Sequence, residues 1–331
     1  MLQKDILICR SVVDRFAVFL KSQKMAHAYL FIGTPFIGKS ETAFAIAKLV
    51  NCLSFNEDAP KEFCDVCESC RKINIRQHPD VHFIDVLENK TTISMEQIQG
   101  ILEQMRLKPF EARKKVFIIK NIENIQHEAA HTLLKTLEEP TKNSLFLLTT
   151  SSLEKNLDTI ISRCHAIYFP LMSRAVLKQR LMVEEKQEEQ KAHFLAYYTQ
   201  GCQGRVRVLE EQNIFERKDA LLDQFISFEK FVGTSEKITE EKDEIKEILE
   251  VLLSWIRDAV LLKLHAPVDD LVHIDRLSDL EKFTNERTFQ ELEEIYQHIK
   301  TTMKLLGENL NVKIPLLVLK ERLWEKSYKS N

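Results

Sequence analysis

Two stretches of the chain combine residue types and spacings that could do chemistry. The first is FIGTPFIGKSE, residues 31–41, in which Gly33, Gly38, Lys39 and Ser40 match the pattern G-x-x-x-x-G-K-[ST]. A loop of this kind wraps β- and γ-phosphates in backbone N–H groups; its lysine reaches the terminal phosphates and its hydroxyl helps to hold magnesium. The second is Cys52, Cys64, Cys67 and Cys70, spaced C-x11-C-x2-C-x2-C. Two interlocked CxxC pairs place three thiolates around one ion, and a fourth ligand closes the tetrahedron of a structural zinc site. Cys52 supplies that ligand in this reading, although His78 in RQHPD also lies within chain reach. The set leaves no open coordination position, so the zinc is structural.

Nucleotide binding and nucleotide turnover make separate demands. Hydrolysis needs acidic residues at the end of a second strand, one to organise magnesium and one to polarise the attacking water. The candidate strand runs through VFIIKNIENI, and Lys120 and Asn121 take the two positions. A lysine repels the metal, and an asparagine amide cannot accept a proton. Glu123 comes three residues beyond Lys120, off the strand. The sequence therefore predicts binding of ATP or ADP without turnover. A third pattern, HEAAH at 127–131, satisfies the H-E-x-x-H signature of zinc proteases. A protease needs a third ligand downstream, for which Glu154 is the tempting residue, and three fixed positions recur by chance. His127 and His131 are read as helix-surface histidines.

These residues need elements to hold them. AYLFI (28–32) reads as a buried strand feeding the glycine loop, and KSETAFAIAKLVNCL (39–53) as the helix whose N-terminus faces the phosphates. VHFIDV (81–86), KVFII (115–119), SLFLLTT (144–150) and AIYF (166–169) are further strands. A helix capped by Ser94, with Gln97 at its third position, runs to about Met105, and EAAHTLLKTLEE (128–139) forms another. Residues 1–25 have helical spacing, with Val12, Val13, Phe16, Phe19 and Leu20 on one face. Strands alternating with helices predict an α/β class followed by an all-α part: a doubly wound parallel sheet with the loop at a strand's C-terminal end. After Pro170 nearly everything reads as helix. Three parts follow: an α/β module over 1–170 with the zinc module inserted at 52–70, a small helical part over 171–208, and a larger helical part over 209–331. The charge runs EEKQEEQK (184–191) and SEKITEEKDEIKE (235–247) are solvated helix faces or linkers.

Composition narrows the function classes. With 331 residues and 44% hydrophobic content the chain can build more than one core. Its 7 glycines fall far below the usual ~7% of residues, which favours long helices over tight turns. The net charge is −3, from 47 basic and 50 acidic residues, so nucleic-acid contact must be local or supplied by a partner. No apolar run reaches the ~18 residues of a membrane span. The start, MLQKDILICRSVVDRF, carries charges where a signal peptide has an apolar core, so a cytoplasmic location is expected. In that reducing compartment the 7 cysteines are ligands or buried thiols rather than disulfides.

Taken together, these stretches resemble the bacterial clamp-loader subunits of DNA polymerase III, in the AAA+ class, and among them the delta-prime family. The matching text is HAYLFIGTPFIGKSETA (27–43), the cysteine cluster, KVFIIKNIENI (115–125), HTLLKTLEEPTKNSLFLLTT (131–150) and TIISRCHAIYF (159–169). GENLNVKIPLLVLKERLW (307–324) is similar to the family's final collar helices. The resemblance implies an AAA+ module, a helical lid (171–208) and a helical collar (209–331). It also implies a stator's role beside gamma/tau motor subunits and a delta subunit, in an assembly that opens a sliding clamp and places it on primer-template DNA. The enzyme class, DNA-directed DNA polymerase, then comes by membership of the complex alone.

Residue roles follow from the same resemblance. Arg163, the arginine of SRC, corresponds to an arginine finger presented to ATP on the neighbouring subunit; the competing reading is an arginine paired with a local carboxylate. Thr149 and Thr150 fall where the motor subunits place a polar sensor. The second sensor, a G-x-x-R arginine, is displaced here, with Arg205 and Arg207 following Gly204. That displacement and the lost acidic pair separate the delta-prime type from the hydrolysing gamma/tau type. Two features depart from the family pattern: the glycine loop is intact where some members have a degenerate one, and SFNEDAPKEF lengthens the insert between the first two cysteines. The alternative function is an independent P-loop ATPase, with a zinc metalloprotease at HEAAH a remote third.

Overall fold

In the computed structural model, residues 9–55, 63–88, 90–152, 158–226, 242–307, 314–316 and 318–319 are described. They form two compact units, residues 1–171 and residues 172–331. Glu154, the tempting third ligand of the remote metalloprotease reading, most of the insert between Cys52 and Cys64, and most of the stretch 307–324 lie outside the described residues.

The first unit is built on five parallel strands: β1 (Ala28–Ile32), β2 (Val81–Ile84), β3 (Lys115–Ile119), β4 (Ser144–Thr150) and β5 (His165–Tyr168), in the order β2-β3-β4-β1-β5. β1 is flanked by β4, with Leu30 opposite Leu148, and by β5, with Leu30 opposite Ala166. The three inner strands are buried along their whole lengths, as expected of a parallel sheet covered on both faces. Alternation then assigns each side chain to a layer. Tyr29, Phe31, Val116, Ile118, Leu145 and Leu147 pack against α1 (Arg10–Lys21) and α2 (Lys39–Asn51). Leu30, Phe117, Ile119, Phe146 and Leu148 form the opposite layer with α4 (Met95–Arg106) and α5 (His127–Glu138). Between α2 and β2 lies the short α3 (Glu68–Asn74), and α6 (Asp158–Ile161) precedes β5.

Local signals explain the boundaries. Ser94 and Gln97 make the reciprocal capping box at the start of α4, with Gln97 Oε1 accepting the Ser94 N–H at 3.0 Å. On α1 the buried residues are Val12, Val13, Phe16 and Ala17, while Phe19 and Leu20 are only half-buried. The Phe16 ring lies 4.5 Å from Tyr29 and 6.2 Å from Phe31, centroid to centroid, and clamps α1 onto the sheet.

The second unit is helical: α7 (Arg174–Glu184), α8 (Glu189–Tyr198), α9 (Gln203–Glu211), α10 (Ile214–Ile226), α11 (Lys242–Lys263), α12 (Leu277–Asn285) and α13 (Phe289–Gly307). One core gathers residues from Leu177 to Leu319 around the fully buried Trp255. Helices on both sides of position 208 share it, and His193 Nε2 meets the Leu271 carbonyl at 2.7 Å. Several buried polar groups in this core are paired, although Trp255 Nε1 and His273 Nδ1 find no hydrogen-bond partner among the described residues. Asp258 accepts the N–H groups of Val272 and His273 at 2.7 and 2.9 Å, and Lys218 pairs with Asp275 beneath the Phe194 and Phe215 rings.

Candidate functional site

The 33–40 loop leaves β1 at the C-terminal edge of the sheet. Gly33 donates its N–H to the Thr150 carbonyl at 3.3 Å, so the loop starts between β1 and β4. A Cβ on Gly33 would meet Phe169 Cβ at 3.0 Å and the Phe169 carbonyl oxygen at 3.2 Å, so any larger residue there would have to push its neighbours back by a few tenths of an ångström. At the other end Gly38 has φ +91° and N-caps α2, a backbone turn that glycine adopts without cost. Thr34, Pro35 and Phe36 form an exposed rim between them. Lys39, buried in the first turn, donates to the carbonyls of Gly33 and Thr34 at 2.6 and 2.8 Å and to Ser151 Oγ at 3.2 Å. A glycine-framed concavity with a lysine at its base, opening a helix, fits an anionic phosphate group.

The end of β3 carries Lys120 and Asn121 at the two positions where a hydrolytic site is expected to hold acidic residues. Lys120 turns to β2's end and pairs with Asp85 Oδ2 at 3.0 Å. Asn121 adopts φ +52° and donates its backbone N–H to Thr149 Oγ1 at 3.1 Å. Glu123 stands on the 3-10 turn Ile122–Asn124, off the strand, but it is tied to the loop's surroundings: its Oε1 accepts the Ser151 N–H at 3.1 Å. Ser151 thus links Glu123 to Lys39. Sequence reasoning passed over Ser151 and the Asp85 partner, because both links depend on which strands become neighbours.

The cysteine module assembles what the sequence assembled. The Sγ atoms of Cys52, Cys64, Cys67 and Cys70 all lie within 4.8 Å of one another, and Cys52 Sγ to Cys64 Sγ is 3.6 Å. A tetrahedral zinc with Zn–S bonds of about 2.3 Å has sulfur–sulfur edges of roughly 3.8 Å, and an all-sulfur set suits that ion. Backbone N–H groups already point at the sulfurs, from Cys67 to Cys64 at 3.2 Å and from Cys70 to Cys67 at 3.5 Å. Burial raises the Cys64 thiol pKa, but the N–H groups of Cys67 and Val66 outweigh it and bring it down to about 6. Burial pushes the Cys52 and Cys70 thiols up.

His78 stands apart from this cluster. Its Nδ1 accepts the Asp80 N–H at 3.1 Å and its Nε2 lies 3.6 Å from Glu111. The module is braced by Lys48, which pairs with Asp65 at 2.6 Å and lies 4.1 Å from the Phe63 ring centre. Lys72 of α3 pairs with Glu111 at 2.8 Å. The loop carrying Glu111 is pinned by buried Asp80, which accepts the N–H groups of Phe110, Glu111 and Ala112.

Comparison with known proteins places this arrangement. Family models described as "DNA polymerase III, delta subunit" and "DNA polymerase III, delta subunit, C terminal" match residues 9–173 and 212–325. DNA polymerase III subunit delta' of Bacillus subtilis (strain 168) is 27% identical over 306 residues, covering 88% of this chain and 89% of that protein. The chain belongs to the delta-prime family of DNA polymerase III clamp-loader subunits. DNA polymerase III subunit tau of the same organism is 28% identical over 303 residues, covering 83% of this chain but 51% of tau, so the chain spans about half that relative's length. A gamma subunit-related protein of Thermotoga maritima shares the fold at 15% identity, with a TM-score of 0.50 over 95% of this chain and 99% of that one.

Within this delta-prime chain, Arg163 follows α6 at the start of β5 and is engaged locally. Its Nε donates to Glu138 Oε1 at 2.7 Å and its Nη2 pairs with the same carboxylate. Its Nη1 donates to the Thr159 carbonyl at 2.9 Å and to Ser162 Oγ at 3.1 Å. Both members of the pair are substantially exposed. Thr149 and Thr150 end β4 fully buried, and the Thr150 hydroxyl donates to the Ser152 carbonyl at 2.6 Å. Gly204 is buried in α9, and Arg205 pairs with Glu250 at 2.5 Å inside the second unit. His127 and His131 are exposed on α5 with ring centres 4.6 Å apart, and among the described residues the only cluster with metal-ligand geometry is the four cysteines. No described helix is long and apolar enough to cross a membrane.

Proposed function

We propose that this chain is the stator of a clamp loader: it binds ATP or ADP at Gly33, Gly38, Lys39 and Ser40 without hydrolysing it. In that role it completes the ATP site of a neighbouring gamma/tau motor subunit with Arg163. The observation that carries the reading is the Lys120–Asp85 pair at the end of β3, which puts a cation where a hydrolysing relative needs a carboxylate. A lysine at that place opposes magnesium, and Asn121 offers no base. The loop itself keeps the glycines and lysine that a phosphate needs.

In this reading residues 171–208 act as the lid and residues 209–331 as the collar, two functional parts of one compact helical unit. The partners are the motor subunits and a delta subunit, with the sliding clamp and primer-template DNA reached through the assembly, in the cytoplasm. Cys52, Cys64, Cys67 and Cys70 hold a structural zinc; the sulfurs' mutual spacing and their N–H donors support it. Arg163 serves in trans by exchanging Glu138 for the phosphoryl oxygens of the neighbour's ATP. The exposed pair is weakly held, so the exchange costs little. A delocalised, permanently charged guanidinium then stabilises charge on the transferred phosphoryl group.

The deciding experiment measures nucleotide binding and turnover on the purified chain, alone and with the motor subunits. Stator function requires binding without turnover alone, and Arg163-dependent turnover in the assembly. Steady hydrolysis by the isolated chain that vanishes in Lys39→Ala would establish the independent ATPase instead.

A further inference from the structure

The loss of the acidic pair leaves a question of charge at the 33–40 loop. A bound nucleotide brings several negative charges and a magnesium ion, and Lys120 and Asn121 hold the two positions where one acidic residue would usually organise that ion and the other polarise water. Glu123 lies on the turn that follows, and one of its oxygens is accounted for by the Ser151 N–H at 3.1 Å. The other, Oε2, is buried and has no hydrogen-bond partner among the described residues. A carboxylate oxygen withdrawn from water demands a donor or a cation. The group is also wired to the loop, since the serine that donates to Glu123 accepts from Lys39 Nζ at 3.2 Å through its hydroxyl.

We propose that Glu123 is the carboxylate that the magnesium shell of a nucleotide bound at the 33–40 loop engages, standing in for the magnesium-organising member of the missing acidic pair. The inference rests on the nucleotide-binding reading above. It assigns Glu123 to cation holding and gives it no part in activating water, because Oε1 is already committed to the Ser151 N–H. Magnesium keeps several of its waters when bound through one or two carboxylates and phosphate oxygens, so a single carboxylate beside the loop suffices. Without the ion the same carboxylate faces phosphate oxygens of like charge. Its contribution therefore changes sign with magnesium, which a purely structural residue would not do.

The test is equilibrium binding of fluorescent ADP and ATP to the full chain. It is run with saturating MgCl2 and in buffer freed of divalent ions over a resin, because a dissolved chelator would also attack the cysteine cluster. Magnesium should tighten wild-type binding by about tenfold or more, the usual weight of a hydrogen bond or ion contact to a charged group. Glu123→Gln keeps an amide oxygen for the Ser151 N–H but removes the charge. It should cut the magnesium effect to less than about twofold while binding nucleotide at least as tightly as wild type when magnesium is absent. Glu123→Asp should keep part of the magnesium effect. A Glu123→Gln chain with the wild-type magnesium response overturns the proposal, as does one that loses affinity equally in both buffers. A wild-type chain that binds no better than Lys39→Ala in either buffer refutes the nucleotide-binding reading itself, and the proposal with it.

Discussion

The cysteine module and the 33–40 loop share one α/β unit but differ in where their donors point. In the module four sulfurs face one another, backbone N–H groups are aimed at them, and ion pairs from Lys48 and Lys72 hold the frame. Everything a zinc ion needs comes from one chain. Around the loop, Lys39 leans on its own loop carbonyls and Lys120 leans on Asp85, while at the opposite edge of the sheet, where β5 begins, Arg163 leans on Glu138. All three cations are held by partners inside the chain, and in the proposed function Lys39 and Arg163 each meet a phosphate outside it. The contrast teaches that the module offers a complete ligand set within one chain, whereas the function proposed for the loop and Arg163 is completed only with a second subunit. The first property is testable on the chain alone, and the second mostly in company.

The largest effect expected is on the self-sufficient side. Wild-type chain should carry about one zinc, and a structural zinc contributes on the order of 10 kcal/mol of apparent binding free energy. Cys67→Ser should release the metal and loosen residues around α3 while the sheet persists. Metal analysis with far-ultraviolet circular dichroism checks both, and a zinc-free, fully folded wild type would break the comparison.

Next in size is Arg163→Ala. In the reconstituted loader it should lower hydrolysis at the adjoining site by about 10³-fold, with fold and assembly unchanged. Arg163→Lys should rescue poorly because lysine lacks the planar fork. Normal ATPase and clamp loading by Arg163→Ala would mean that the pair with Glu138 is its whole purpose.

A smaller effect concerns the loop alone. Lys39→Ala should weaken ADP and ATP binding by about tenfold or more through loss of a charged donor, with no turnover before or after the change. Titration calorimetry on the isolated chain reads the affinity.

The smallest effect is a pH dependence that sharpens the picture of the module. Zinc uptake should release protons chiefly from Cys52 and Cys70, whose thiols burial keeps protonated, as calorimetry in buffers of different ionisation heat can count. Cys64, depressed to about 6 from 9.0, works in the opposite sense. Its ionisation stabilises the metal-free fold fully above pH 9, progressively less as pH falls, and no longer below about 6. Chemical denaturation of the metal-free chain at several pH values follows that loss, which Cys64→Ser should flatten.

Much of this was legible before any coordinates. The three inner strands carry the near-continuous apolar runs that suit a parallel sheet covered on both faces, and Ser94 with Gln97 announced the start of α4. CxxC spacing announced the cysteine cluster, since a chain that brings Cys64, Cys67 and Cys70 together has little freedom left. The choice between Cys52 and His78 needed the fold, because His78 is engaged by its near neighbour Asp80 and by Glu111, which lies far away in sequence. Lys120 was legible as a missing acid, but its pairing with Asp85 was not: it depends on β2 lying beside β3. The Glu123–Ser151–Lys39 chain crosses from the end of β3 to the end of β4 and back to β1, and periodicity says nothing about such crossings. Arg163 showed in the sequence as a residue for export, and only the coordinates show what holds it at home.

The strand order has a further consequence, in time rather than in space. β1 touches only β4 and β5, so the strand that leads into the glycine loop has no neighbour until residues 144–150 have left the ribosome. At synthesis rates of about 5–20 residues per second, that wait is on the order of ten seconds. Throughout it Tyr29, Leu30 and Phe31 have no strand to pair with, whereas β2 and β3 can join as soon as both exist. The first strand to be made is thus the one that waits longest for a partner. A nascent chain arrested before β4 carries its glycine loop on an unpaired, apolar strand, a natural target for a chaperone.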